Sequence, residues 1–104
     1  MAGKMRTRAQ LGKDGVTTVK VLMKHPMETG QRKGADGNKI PAHFIEVVEA
    51  KIGDQALFTA MMGPAVSKDP YLAFETSVPK KGDKIEISWK DNEGQSQSTE
   101  AAVR

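Results

Sequence analysis

Apolar and polar positions alternate along most of this chain, in short runs divided by turn signals. Residues 4–10 set Met5, Thr7 and Ala9 against Lys4, Arg6, Arg8 and Gln10. That predicts a short edge strand whose cations discourage edge-to-edge pairing. Gly12-Lys13-Asp14-Gly15 is a turn. In residues 16–24, Val19, Val21 and Met23 share one face and Lys20 and Lys24 the other, as in a strand with one buried face. The run ends at His25-Pro26, because proline offers no ladder donor and holds the residue before it extended. Residues 43–50 place Phe44, Glu46, Val48 and Ala50 opposite His43, Ile45, Val47 and Glu49. Apolar residues on both sides predict a central strand. Residues 55–62 return with Ala56, Phe58, Ala60 and Met62 against Leu57, Thr59 and Met61. Residues 71–78 carry Leu72, Phe74, Thr76 and Val78 on one side. Residues 84–90 alternate most cleanly, with Ile85, Ile87 and Trp89 inward, and Asp91-Asn92-Glu93-Gly94 turns into a polar last strand over residues 95–103.

Strand-like runs with turn signals about every 8–12 residues, and no helical period, predict an all-β fold. The expected architecture is an immunoglobulin-like antiparallel β-sandwich of about seven strands. Val19, Val21, Phe58, Phe74, Ile85, Ile87 and Trp89 form its expected core. A length of 104 residues predicts one domain spanning 1–104.

The stretch that the strands do not absorb is 23–44, MKHPMETGQRKGADGNKIPAHF, longer than a tight connection requires. It contains both histidines of the chain, and Asp36-Gly37-Asn38 inside it is a tight-turn signal. A projecting hairpin is expected there. A second irregular connection, 63–70, contains Pro64 and Pro70 and leads into Tyr71.

Composition narrows the chemistry. There is no cysteine, which excludes a disulfide, a thiolate nucleophile, a cysteine-bound zinc and an iron–sulfur cluster. The formal net charge of +3 is a mild bias. One Trp, one Tyr and three Phe, none within a basic run, do not make a nucleic-acid face. No stretch reaches the roughly 20 apolar residues of a membrane span. The first fifteen residues lack the apolar run of a secretory signal, which taken alone points to the cytoplasm. No Gly-x-Ser-x-Gly elbow, phosphate loop or Ser/His/Asp grouping is present. Glu46 and Glu49 fall on opposite faces of one strand by the alternation, so they do not read as a glycosidase pair. His25 and His43 approach each other if the hairpin closes, and with Met23 and Met27 they would suit copper(I). The plainer expectation is two ordinary surface histidines and no metal. A third reading takes Met27, Pro26 and Tyr71 as an exposed, adaptable interaction surface.

Three blocks go further. His25-Pro26-Met27-Glu28-Thr29-Gly30 with Arg32 and Ile40-Pro41 is the first. The second is Gly63-Pro64-Ala65-Val66-Ser67-Lys68-Asp69-Pro70-Tyr71-Leu72-Ala73-Phe74, and the third Ile87-Ser88-Trp89-Lys90-Asp91-Asn92-Glu93-Gly94. In this order they resemble the SoxZ family of sulfur-oxidation carrier subunits, from about Val16 to the C-terminus. The resemblance implies a non-catalytic, cofactor-free β-sandwich that pairs with SoxY, whose C-terminal Gly-Gly-Cys-Gly-Gly arm carries thiosulfate-derived sulfur. It implies transient contacts with a c-type haem complex and a manganese-dependent thiol sulfate hydrolase. It also implies the periplasm, reached together with SoxY. On this reading His25, Pro26, Met27, Glu28, Thr29, Gly30, Arg32, Pro70 and Tyr71 are expected at the partner surface, and Arg32, Lys33 and Lys39 add positive charge nearby.

Overall fold

A computed structural model describes residues 5–104. Lys4, which the alternation assigns to the first strand, lies outside them. The described residues form seven strands and no helix. They are β1 (Met5–Leu11), β2 (Thr17–Met23), β3 (Ile45–Ile52), β4 (Gln55–Met61), β5 (Tyr71–Thr76), β6 (Lys84–Asp91) and β7 (Ser96–Ala102). One sheet has the order β1-β2-β5 and the other β4-β3-β6-β7, with every named pair antiparallel. This is the immunoglobulin-like sandwich that the alternation predicts. At one flank the chain closes the gap between the sheets, where Val103 bridges Ala9 in parallel and Arg104 N–H donates to Ala9 C=O.

The core lies between the sheets. Val19, Val21 and Met23 of β2 face Ile45, Val48 and Ala50 of β3 and Ile85, Ile87 and Trp89 of β6, all buried. Two features depart from the simple pattern. Phe58 and Phe74 are half-buried rather than core residues; their rings stack at 4.5 Å on the flank where β4 and β5 are both unpaired edges. In β3 the pairing to β6 shifts between Ile45 and Val47. This bulge places one extra residue in the strand and reverses the faces beyond it. The buried line is therefore His43, Ile45, Val48 and Ala50, and Glu46 and Glu49 are both exposed. Their expected opposite placement does not hold.

Residues 24–44 form the expected hairpin. Glu28 and His43 pair at its base, Lys33 and Lys39 near its tip, and Gly34 N–H bonds Asn38 C=O across the turn. Gly30 has a φ of 86°, and a Cβ there would meet Ala42 Cβ at 3.2 Å, so the two arms approach each other through glycine.

Candidate functional site

Three elements converge at the hairpin end of the core. The inward alternation of β2 continues past the strand: Val19, Val21, Met23, His25 and Met27 are all buried. That of β6 ends on Asp91, in line with Ile85, Ile87 and Trp89. Asp91 pairs with Ile45 in the ladder, and His43 lies two residues before it. Both imidazoles thus meet one carboxylate. His25 Nε2 lies 3.0 Å and His43 Nε2 2.7 Å from Asp91 Oδ2. The other oxygen, Oδ1, accepts the backbone N–H of Glu93 at 3.0 Å and of Gln95 at 2.8 Å.

The proton positions follow from the surroundings. Met27 N–H donates to His25 Nδ1 at 3.1 Å. A backbone N–H only donates, so Nδ1 is the acceptor and Nε2–H donates to Asp91. The cluster is a buried anion held by imidazole and amide donors. Burial alone would raise the Asp91 pKa, but the bonds from His25, His43, Gln95 and Glu93 together hold it below the usual carboxylate range. Burial lowers the His25 pKa; the bond to Asp91 opposes this, and neighbouring His43 adds to the lowering.

Both shifts act on stability in one direction. Below the ordinary imidazole value of 6.5, unfolded His25 takes a proton that the folded chain resists. Below the ordinary carboxyl value of 3.8, the same holds for Asp91. Stability is therefore full above pH 6.5 and falls as the pH drops. The slope approaches about 1.4 kcal/mol per pH unit for each such proton. Urea midpoints measured from pH 7.5 to 3.5 should decline from the first window onward, and His25→Asn should flatten the part between 6.5 and 5. A midpoint constant from pH 7 to 5 in the native chain would contradict this.

The β6–β7 turn also grips the returning arm of the hairpin. Asn92 Oδ1 accepts Phe44 N–H at 2.8 Å, and Asn92 Nδ2–H donates to Ala42 C=O at 2.9 Å. On the outgoing arm, Asp69 Oδ1 accepts His25 N–H at 3.0 Å, and Pro70 C=O accepts Met23 N–H at 2.9 Å. The hairpin base and the 63–70 connection, separate in sequence, are one structure.

Several expected site residues are placed differently from a loop surface. His25 and His43 are core residues, because the strand alternation runs on into the hairpin and carries them inward. Met27 is buried rather than an exposed tip. Its φ is 49°, a strained value for a side chain with a Cβ. The backbone is held there by the bond to His25 and by Ile45 N–H, which donates to Met27 Sδ at 3.3 Å. Pro26 and Glu28 are half-buried, Pro70 is buried, and Thr29, Arg32 and Tyr71 are exposed. Arg32 Nε donates to Glu28 Oε1 at 3.0 Å, and its Nη2 also bonds the same carboxylate. Its charge is thereby neutralised locally, leaving Lys33 and Lys39 as the free cations of this loop's expected set.

The ligand atoms of His25, His43 and Asp91 lie within 4.8 Å of one another. For His25 Nε2 to bind a metal, its proton would have to move to Nδ1, against the Met27 N–H already pointing there. Met27 Sδ is engaged, and Met23 lies wholly inside the core. A copper(I) titration of the purified chain should give no stoichiometric complex. A one-to-one complex lost in His25→Ala would restore the copper reading.

Asp91 falls in the predicted turn and in the third family block, and the sequence assigned it no part in the site. Its signal was present, since it is the next inward position after Ile85, Ile87 and Trp89. No curated protein matches the chain. Among family models, the one described as "Sulphur oxidation protein SoxZ" matches residues 5–102. That span contains both sheets and every residue of the His25–Asp91–His43 cluster, and it covers nearly the whole chain: this protein belongs to the SoxZ family of sulfur-oxidation proteins.

Proposed function

We propose that this chain is the non-catalytic subunit of a SoxYZ sulfur carrier in thiosulfate oxidation, working in the periplasm. It binds a SoxY-like subunit and supports it while that subunit's cysteine arm visits the enzymes of the pathway. The observation that carries the reading is the family match over residues 5–102. The absence of cysteine in these 104 residues agrees with it, since no side chain here can hold a thiol-linked sulfur adduct.

The site supports a positioning role. The hairpin is fixed at its base by a buried carboxylate, two imidazoles and the Asn92 staple, so what it presents outside is held in place. Thr29, Arg32, Lys33, Lys39 and Tyr71 are among the exposed residues there. They shape where the partner's arm, or a visiting c-type haem complex or thiol sulfate hydrolase, can lie. The remaining positive charge attracts anionic sulfur adducts over a range that salt shortens. Co-expression with a SoxY-like subunit tests the reading. The two chains should co-purify as a 1:1 species through an interface of at least about 1,200 Å² in total. Two separate species at micromolar concentration would contradict it.

A further inference from the structure

The two nitrogens of the buried His25 ring are engaged in opposite senses. Nε2–H donates to Asp91 Oδ2 at 3.0 Å, and Nδ1 accepts Met27 N–H at 3.1 Å. A proton added to this ring has one place to go, the Nδ1 lone pair. The new N–H would then point at the Met27 N–H, donor against donor. The ring itself is held. Its side chain is wholly buried, with Trp89 edge-on at 5.1 Å and His43 at 4.5 Å between ring centroids. The charged groups around it come from four directions. β6 supplies the Asp91 carboxylate at Nε2. The 63–70 connection supplies Asp69, whose Oδ1 accepts His25 N–H and whose Oδ2 lies 3.8 Å from Lys24 Nζ. The returning arm supplies His43, with Nε2 2.7 Å from Asp91 Oδ2 and 3.9 Å from Glu93 Oε1 of the β6–β7 turn. On the outgoing arm, Glu28 is occupied by Arg32. An imidazolium at His25 would therefore stand directly on a carboxylate. Burial, and then His43, move its formation below the ordinary imidazole range.

The peptide facing Nδ1 is the part able to respond. Met27 sits at a φ of 49°, a left-handed value that a residue with a Cβ adopts under strain. A half-turn of the Pro26–Met27 peptide plane carries that φ to about −130°, within the ordinary extended range. The same half-turn replaces the N–H facing Nδ1 with the Pro26 C=O, an acceptor. Pro26 takes up the matching change in ψ, because its ring fixes only φ. A peptide plane turns about the line between its two Cα atoms, so those atoms stay nearly in place. The Glu28–His43 pair at the hairpin base is kept.

We propose that the Pro26–Met27 peptide is a proton-operated switch: with His25 neutral its N–H faces Nδ1, and with Nδ1 protonated it turns over so that the Pro26 carbonyl accepts from Nδ1–H. The outgoing arm of the hairpin thus has two backbone states, strained at Met27 above the titration of His25 and relaxed below it. The switch does not depend on a SoxY-like partner. Nuclear magnetic resonance of the full folded chain, titrated from pH 7.5 to 4, tests it. The imidazole nitrogen signals show which ring atom holds a proton. The cross-relaxation between HN and Hα within Met27 shows the peptide, because these two hydrogens lie closest when φ is positive and near 50°. The Met27 contact should weaken in step with protonation of His25 Nδ1, at one midpoint, while the Glu28 and His43 amides keep their cross-strand contacts. Met27→Gly removes the strain from the neutral state, so its midpoint should fall by about half a pH unit or more. A protonated His25 Nδ1 with the Met27 contact unchanged would overturn the switch. So would a His25 that stays neutral until the chain unfolds, or a proton taken by His43 instead. A folded Met27→Gly chain with a midpoint at or above the native one also contradicts it. If that variant does not fold, the native titration decides alone.

Discussion

Asp91→Ala is expected to remove about 3–5 kcal/mol of stability at pH 7, as when two or more core hydrogen bonds to a charged group, worth about 1.5–3 kcal/mol each, are lost together. The variant takes away the acceptor of four hydrogen bonds at once. It leaves the His25 Nε2–H inside the core without a partner, and each buried unsatisfied donor costs about 1–3 kcal/mol. It also frees the β6–β7 turn, whose Glu93 and Gln95 amides were bound to Oδ1. Asp91→Asn separates the two halves of the role. Its amide oxygen can still serve the turn, but its NH₂ would face the imidazole N–H groups, donor against donor. The Asn variant should therefore lie nearer to Ala than to the native chain. Urea unfolding reads both, and a loss below about 1 kcal/mol for either would mean that the cluster does not hold the hairpin. Against a total stability of about 5–15 kcal/mol, the expected loss is a large fraction.

Trp89→Ala should cost a similar amount, about 3–5 kcal/mol, by a different route. Trp89 is 1% exposed and is the largest side chain in the core. Its ring meets His25 edge-on, with centroids 5.1 Å apart at 90°. Removing it opens a cavity beside the His25 ring. Trp89→Phe should lose much less. Trp89 Nε1 is buried with no hydrogen-bond partner among the described residues, so Phe removes an unsatisfied donor along with part of the ring. If Phe were as damaging as Ala, an interaction of the indole N–H would have to be responsible, and the packing account would fail.

The strands were legible because alternation has a fixed period and one buried face enforces it. Val19, Val21, Ile85, Ile87 and Trp89 were placed correctly on that basis alone. Two things were hidden. The bulge in β3 carries no glycine or proline to mark it, so Val47 and Glu49 were grouped with His43 and Ile45, where Val48 and Ala50 belong. Phe58 and Phe74 follow the pattern but sit on the open flank, and alternation reports direction rather than depth. The site was harder for a related reason. Proline and glycine in 23–44 signal a loop, and a loop implies exposure, so His25 and Met27 were read as surface. Their spacing from Val19, Val21 and Met23 already put them on the inward line. Asp91 serves two purposes at once, with Oδ1 ordering the turn and Oδ2 facing the core, and turn chemistry accounted for it completely at the level of sequence. Which residues of the hairpin meet a partner is not a property of periodicity, because exposure in one chain does not specify what covers it in two.

The claim at the centre of this account is that the chain works by holding a SoxY-like carrier. Sedimentation of the two purified subunits, mixed at equal concentration and diluted through the micromolar range, measures it directly. The account predicts one boundary at the mass of a 1:1 complex that persists to low micromolar concentration or below. Two independent boundaries at the masses of the separate chains throughout that range would contradict it.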